Sequence, residues 1–179
     1  SFGENSVSGP MIRNLIQSAC YVNGSVAVDP STGECMGTCN TTPVGEDIKV
    51  QNGNLMNQGQ NNFCPVIQDI LQRGDPTAVP QPFVVKVPVL ESTDDACDAS
   101  QFSSFKAIAG YATMEIYGAR CVSSEPGVFV STAPPCFSEA WPPPSGKYII
   151  AALRCDLTSQ QSAGGGFFGT DATGVRLVQ

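Results

Sequence analysis

Eight cysteines, Cys20, Cys35, Cys39, Cys64, Cys97, Cys121, Cys136 and Cys155, offer the most chemistry in this chain of 179 residues. Thiols can hold zinc or form disulfides, and the spacing separates the two uses. A tetrahedral thiolate site is built from two close pairs; no C-x-x-C occurs, and Cys35 and Cys39 have no second close pair to complete one. An even number of cysteines spread along the whole chain points to a disulfide framework made in an oxidising compartment. Connectivity stays open, because eight cysteines allow 105 pairings. Cys121 and Cys136 flank a Pro-rich excursion that a bridge could close.

The remaining residue types remove much of catalysis. The chain has no histidine, so Ser-His-Asp triads, Cys-His dyads and His-ligated zinc or haem are unavailable. Ser103 and Lys106 fit S-x-x-K, but the companion S-D-N and K-T-G elements are missing. Acidic residues gather at Glu91, Asp94, Asp95 and Asp98, and again at Asp29 and Glu34. The second group lacks the alternating ligands and closing Glu of a calcium loop, so solvated acidic loops are expected. Paired carboxylates of the glycosidase kind are compatible with 16 acids, but no motif marks a pair. Gly164-Gly165-Gly166 is not followed by Lys-Ser/Thr and reads as a connector, not a phosphate loop. No catalytic, cofactor-binding or metal-ligating residue is therefore expected. Asn23-Gly24-Ser25 and Asn40-Thr41-Thr42 fit the N-glycosylation pattern, which matters only in a eukaryotic secretory route. Contact surfaces are left: Trp141, Phe167 and Phe168 are the aromatic candidates, with folding back over a small core as the alternative role.

These groups need elements to position them. Pro10 followed by Met11, Ile12, Leu15, Ile16 and Ala19 has the spacing of a short amphipathic helix ending near Cys20. Tyr21 to Asn62 is rich in Gly, Asn, Ser and Thr and reads as loop and short strand, with turns at 29–33 and 52–54. A second helix is expected from Cys64 or Pro65 to Arg73, capped by Asn61 or Asn62 and stopped by Gly74-Asp75-Pro76. Strands are expected at 83–90, where Pro88 suggests an edge, at 105–117, at 147–157 and at 174–178. The excursion at about 121–146, with Pro142-Pro143-Pro144 beside Trp141, is excluded from central sheet. The fold class is α+β: a small disulfide-stapled domain with two short helices and a mainly antiparallel sheet. Residues 1–179 form one domain, helix- and loop-rich over 1–76 and β-rich over 77–179.

Composition agrees. Charged residues are 14% of the chain, against about 25% in an ordinary soluble domain. No apolar run approaches the roughly 18 residues of a membrane span, and a net charge of −7 argues against nucleic acid. Ser1 to Gly9 has neither the basic start nor the apolar core of a signal peptide, so an export signal is expected to have been removed or left out.

Several pieces, taken in order, carry a resemblance. They are the start around Phe2-Gly3, Ile12-Arg13-Asn14-Leu15-Ile16 leading to Cys20, and Val44-Gly45-Glu46-Asp47-Ile48 followed by Gly53-Asn54. Then come Val66 to Leu71, Gly74-Asp75-Pro76, Val87-Pro88-Val89-Leu90, Ile108-Ala109-Gly110-Tyr111-Ala112 and Tyr148 to Ala152. Together they resemble the C-terminal extracytoplasmic region of TadG-like proteins, the Tad-type pilus-assembly group that accompanies Flp pili in bacteria. The cysteine count is high for that group, and its membrane-spanning N-terminus is not in this chain. The resemblance implies an extracellular or periplasmic, non-enzymatic component of a pilus or filament apparatus. Its partners would be other envelope or pilus proteins or copies of itself, with no nucleic acid, no cofactor, and membrane contact only through a segment outside this chain. A self-assembling extracellular filament subunit is the alternative, and a secreted carboxylate-dependent hydrolase a more distant one.

Overall fold

A computed structural model describes residues 9–38, 45, 47–49, 63–90, 105–154 and 176–178. Helix α1, Gly9–Cys20, leads directly into a hairpin of β1, Tyr21–Val22, and β2, Ser25–Val26. The two-residue turn Asn23-Gly24 suits it: both residues have positive φ, 52° and 79°, as the mirror-image turns of tight hairpins require. Strand β3, Asp47–Lys49, follows, then helix α2, Phe63–Leu71. Cys64, Val66, Ile67, Ile70 and Leu71 are the buried positions of α2, three and four residues apart along one face. The helix ends two residues before the expected Arg73, because Arg73 and Gly74 turn left-handed with φ of 56° and 80°. Gly74 N–H then donates to Asp69 O at 2.9 Å, and Arg73 Nη1 donates to Ile70 O at 2.9 Å. The expected Asn61 and Asn62 caps lie outside the described residues.

Strand β5, Phe105–Arg120, is the spine of the sheet. Strand β4, Phe83–Leu90, pairs antiparallel with β5 from Ile108 to Ile116. Strand β6, Val128–Phe129, pairs at Gly118 and Ala119, and β7, Tyr148–Leu153, pairs from Met114 to Arg120. Because these ranges overlap, β7 occupies one flank of β5, while β4 and then β6 share the other. Strand β3 pairs with the start of β5, and β8, Arg176–Val178, pairs with the start of β7. All these ladders are antiparallel; Glu34 adds an isolated parallel bridge to Val84.

Pro88 sits where its missing donor costs nothing. Val84 N–H donates away from β5, to Gly33 O at 2.7 Å. Alternation along the strand turns the nitrogens of Lys86 and Pro88 to that same outer edge. The opposite faces of the sheet also alternate. Phe83, Met114, Ile116 and Ala151 join the core with α2, and Cys20 and Cys64 are fully buried within it. A register shift between Ile116 and Gly118 breaks the alternation, so Gly118, Ala119 and Arg120 are buried in succession.

Among the described residues, two disulfides staple the domain. Cys20–Cys35 closes the hairpin segment against the end of α1, with Cα atoms 4.5 Å apart. Cys64–Cys121 ties α2 to the residue after β5, with Cα atoms 5.7 Å apart. The pairing of Cys121 with Cys136 is thus corrected: α2 packs on β5, which brings Cys64 to Cys121, while Cys136 is exposed and has no disulfide partner among the described residues. Cys39, Cys97 and Cys155 lie outside the described residues. The bridges indicate an oxidising compartment outside the cytoplasm. Among the described residues, no helix is long and apolar enough to cross a membrane.

Candidate functional site

The Pro-rich excursion folds over the face of β7, away from α2, and the register shift in β5 prepares its seat. Gly118 has no side chain there, so the Phe129 ring lies against its backbone; a Cβ on Gly118 would fall 2.2 Å from Phe129 Cδ1. Gly127, at φ +72°, makes the return turn, and a Cβ on it would stand 2.9 Å from Ala119 O. Arg120, 5% exposed, puts its guanidinium carbon 5.5 Å from the ring centroids of both Phe129 and Tyr148. Its Nη2 donates to Pro126 O at 3.1 Å. A buried guanidinium is held here by two aromatic faces and a backbone carbonyl, within the geometry of cation–π attraction.

Further along, the excursion is fastened by polar tips on apolar rings. Trp141 Nε1 donates to Val130 O at 2.9 Å, and Tyr148 Oη donates to Pro143 O at 2.7 Å. Trp141 meets Phe129 and Phe137 edge-on, with centroids 5.6 and 5.3 Å apart. Between the excursion and β7 lies a cleft of about 130 Å³, with Pro134, Cys136, Phe137, Pro143, Tyr148 and Ile150 among its lining. Cys136 has a φ of +62° and is exposed.

Of the aromatic contact candidates, Trp141 is partly buried and anchored from within, with exposed Pro142 and Pro144 beside it. Phe167 and Phe168 lie outside the described residues. Arg120 was not singled out by sequence, since one arginine at the end of an apolar strand looks like a strand terminator. The signal available was the nearby glycine, Gly118, inside an otherwise well-formed strand, which marks a bulge or close backbone approach.

Asp29, of the acidic candidates, serves local structure, as do the other carboxylates Asp75 and Glu115. Asp29 Oδ1 accepts from Ser31 Oγ at 2.6 Å, Ser31 N at 2.7 Å and Thr32 N at 3.2 Å. These hydrogen bonds hold the Asp29 carboxyl below its ordinary range. Asp75 accepts from Thr77 Oγ1 at 2.7 Å and Thr77 N at 2.9 Å, with the same effect. Glu115 Oε2 accepts from Tyr117 Oη at 2.9 Å and lies 3.3 Å from Arg154 Nη1. Tyr21 Oη donates to the Asp69 carboxylate, and burial and that neighbour push the phenol's pKa above its ordinary value. Among the described residues, no three acidic, Cys or His side chains are grouped to hold a metal. Ser103 and the acids Glu91, Asp94, Asp95 and Asp98 lie outside the described residues, as does the Asn40 pattern.

No protein-family model, curated protein or solved structure matches the chain. The described residues offer a shaped surface: a cleft walled by proline and aromatic groups against β7.

Proposed function

We propose that this chain is a non-enzymatic structural or assembly domain of a bacterial cell-envelope pilus or filament apparatus, working through protein–protein contacts made by the Pro-rich excursion. One observation carries the reading: a loop lacking regular structure over most of its length is held against the sheet by Arg120, Trp141 and Tyr148. Such support gives an irregular loop a fixed shape without ordering it at the moment of contact, which is how preorganisation raises affinity. The ordered resemblance to TadG-like segments supports the pilus setting, and the disulfide framework supports a position outside the cytoplasm.

The test uses Pro135 and Pro144, which are exposed and outside the hydrogen bonds described. Changing both to Ser should leave the melting temperature nearly unchanged and reduce retention of this chain on isolated pili or envelope complexes. Full retention by that variant, together with turnover of a glycan or peptide substrate by the wild type, would overturn the reading in favour of an enzyme.

A further inference from the structure

The geometry points to Asn23-Gly24 as a self-modification site whose reaction is gated by the Cys20–Cys35 disulfide. An Asn followed by Gly can cyclise. The Gly24 nitrogen attacks Asn23 Cγ and gives up its proton to solvent, and the side-chain amide nitrogen departs as ammonia, leaving a five-membered succinimide. Water then adds to either ring carbonyl and breaks one C–N bond. The product is aspartate, or isoaspartate if the chain now runs through the former side chain. Gly favours attack because it has no Cβ to shield its nitrogen, and a Cβ built on Gly24 meets nothing within 4 Å. Asn23 is exposed, so water and base reach it.

The hairpin opposes this chemistry. Val22 and Ser25 are paired, and the φ values of 52° and 79° are those of a type I′ turn. In that turn the first central residue has ψ near +30°, the mirror of an ordinary type I turn, which is about the rotation that swings the Asn Cβ to the far side of the peptide from the next nitrogen. Ring closure needs the two on the same side, so the turn must open first. Cys20–Cys35 encloses it in a covalent loop with a sequence separation of 15. In and next to that loop Ala27 N donates to Cys20 O at 2.9 Å, Met36 N to Ala27 O at 3.0 Å and Asp29 N to Glu34 O at 2.9 Å. Cleaving the bridge frees this segment to open locally. Isoaspartate would then lengthen the main chain inside a two-residue turn, add a carboxylate and break the Val22–Ser25 register.

Conversion of Asn23 is followed at mildly alkaline pH by peptide mapping, with isoaspartate detected enzymatically. Four samples are compared: the oxidised full chain, C20S/C35S, C64A/C121A, and a linear peptide of residues 19–28. The oxidised chain should retain the amide while the peptide loses it, and C20S/C35S should approach the peptide's rate. C64A/C121A should convert several-fold more slowly than C20S/C35S. Conversion of the oxidised chain at the peptide's rate would overturn the protection. An equal rate in the two bridge variants would show general unfolding to be the gate, and no acceleration in C20S/C35S would remove the disulfide from the account.

Discussion

Gly118 and Arg120 decide whether the excursion has a seat. A methyl group on Gly118 would collide with Phe129 Cδ1, and the ring is also in contact with Trp141 and Arg120. Gly118→Ala should therefore cost about 1–3 kcal/mol, the usual penalty for overpacking, read as a lower urea midpoint. Arg120→Leu keeps bulk but loses two aromatic contacts and leaves Pro126 O without its donor. It should also cost about 1–3 kcal/mol, with Arg120→Lys intermediate, and near-ultraviolet circular dichroism should report the released Trp141. Tyr21 responds to alkali. Its folded pKa is raised above the ordinary 10.0, so the contribution of its protonated form is complete below pH 10 and is lost as pH rises further. Melting curves should fall from pH 10 upward, and Tyr21→Phe should flatten that fall. Asp29 and Asp75 have the opposite sign: their lowered pKa values give support that is lost as pH drops below the ordinary 3.8.

The elements differ in how firmly each is held. Strands β5 and β7 are paired over the whole of β7's length, and Ile150, Ala151 and Ala152 are buried. Strand β8 adds three residues to the outer side of β7. Removing residues 172–179 should lower the melting temperature by the worth of a few ladder hydrogen bonds, each about 0.5–1.5 kcal/mol, and an unchanged curve would show that this edge is not closed by its own chain. Strand β4 guards its outer edge differently: Lys86 and Pro88 are exposed there, a charge and a missing donor that both discourage pairing with another chain.

For the molecule as a whole, the disulfides outweigh any single contact. Loops of 15 and 57 residues imply about 3 and about 4 kcal/mol respectively from restriction of the unfolded chain. Domains have only about 5–15 kcal/mol to lose. C64A/C121A should therefore lower the urea midpoint more than C20A/C35A, and alkylation without reductant should leave all four of these cysteines unlabelled.

Local pattern was enough for the regular elements. The burial spacing of Val66, Ile67, Ile70 and Leu71, the β-branched run at 83–90 and the apolar alternation from Phe105 are properties of neighbours in the chain, so the two helices and four of the strands are legible before folding. The α+β class follows from their order. Helix ends are less legible, as Arg73 shows, because a left-handed turn depends on what Arg73 can reach, here Ile70 O and Pro82 O. The excursion's short strand β6 escaped for a related reason: two residues carry no periodicity, and Phe129 belongs to the sheet only because Gly118 makes room for its ring. Bridge pairing lies furthest from the sequence. Spacing favours closing the short loop between Cys121 and Cys136, whereas packing of α2 against β5 brings Cys64 to Cys121 across 57 residues. Disulfides form where Cα atoms come within about 4.4–6.8 Å, a distance that is set by tertiary packing.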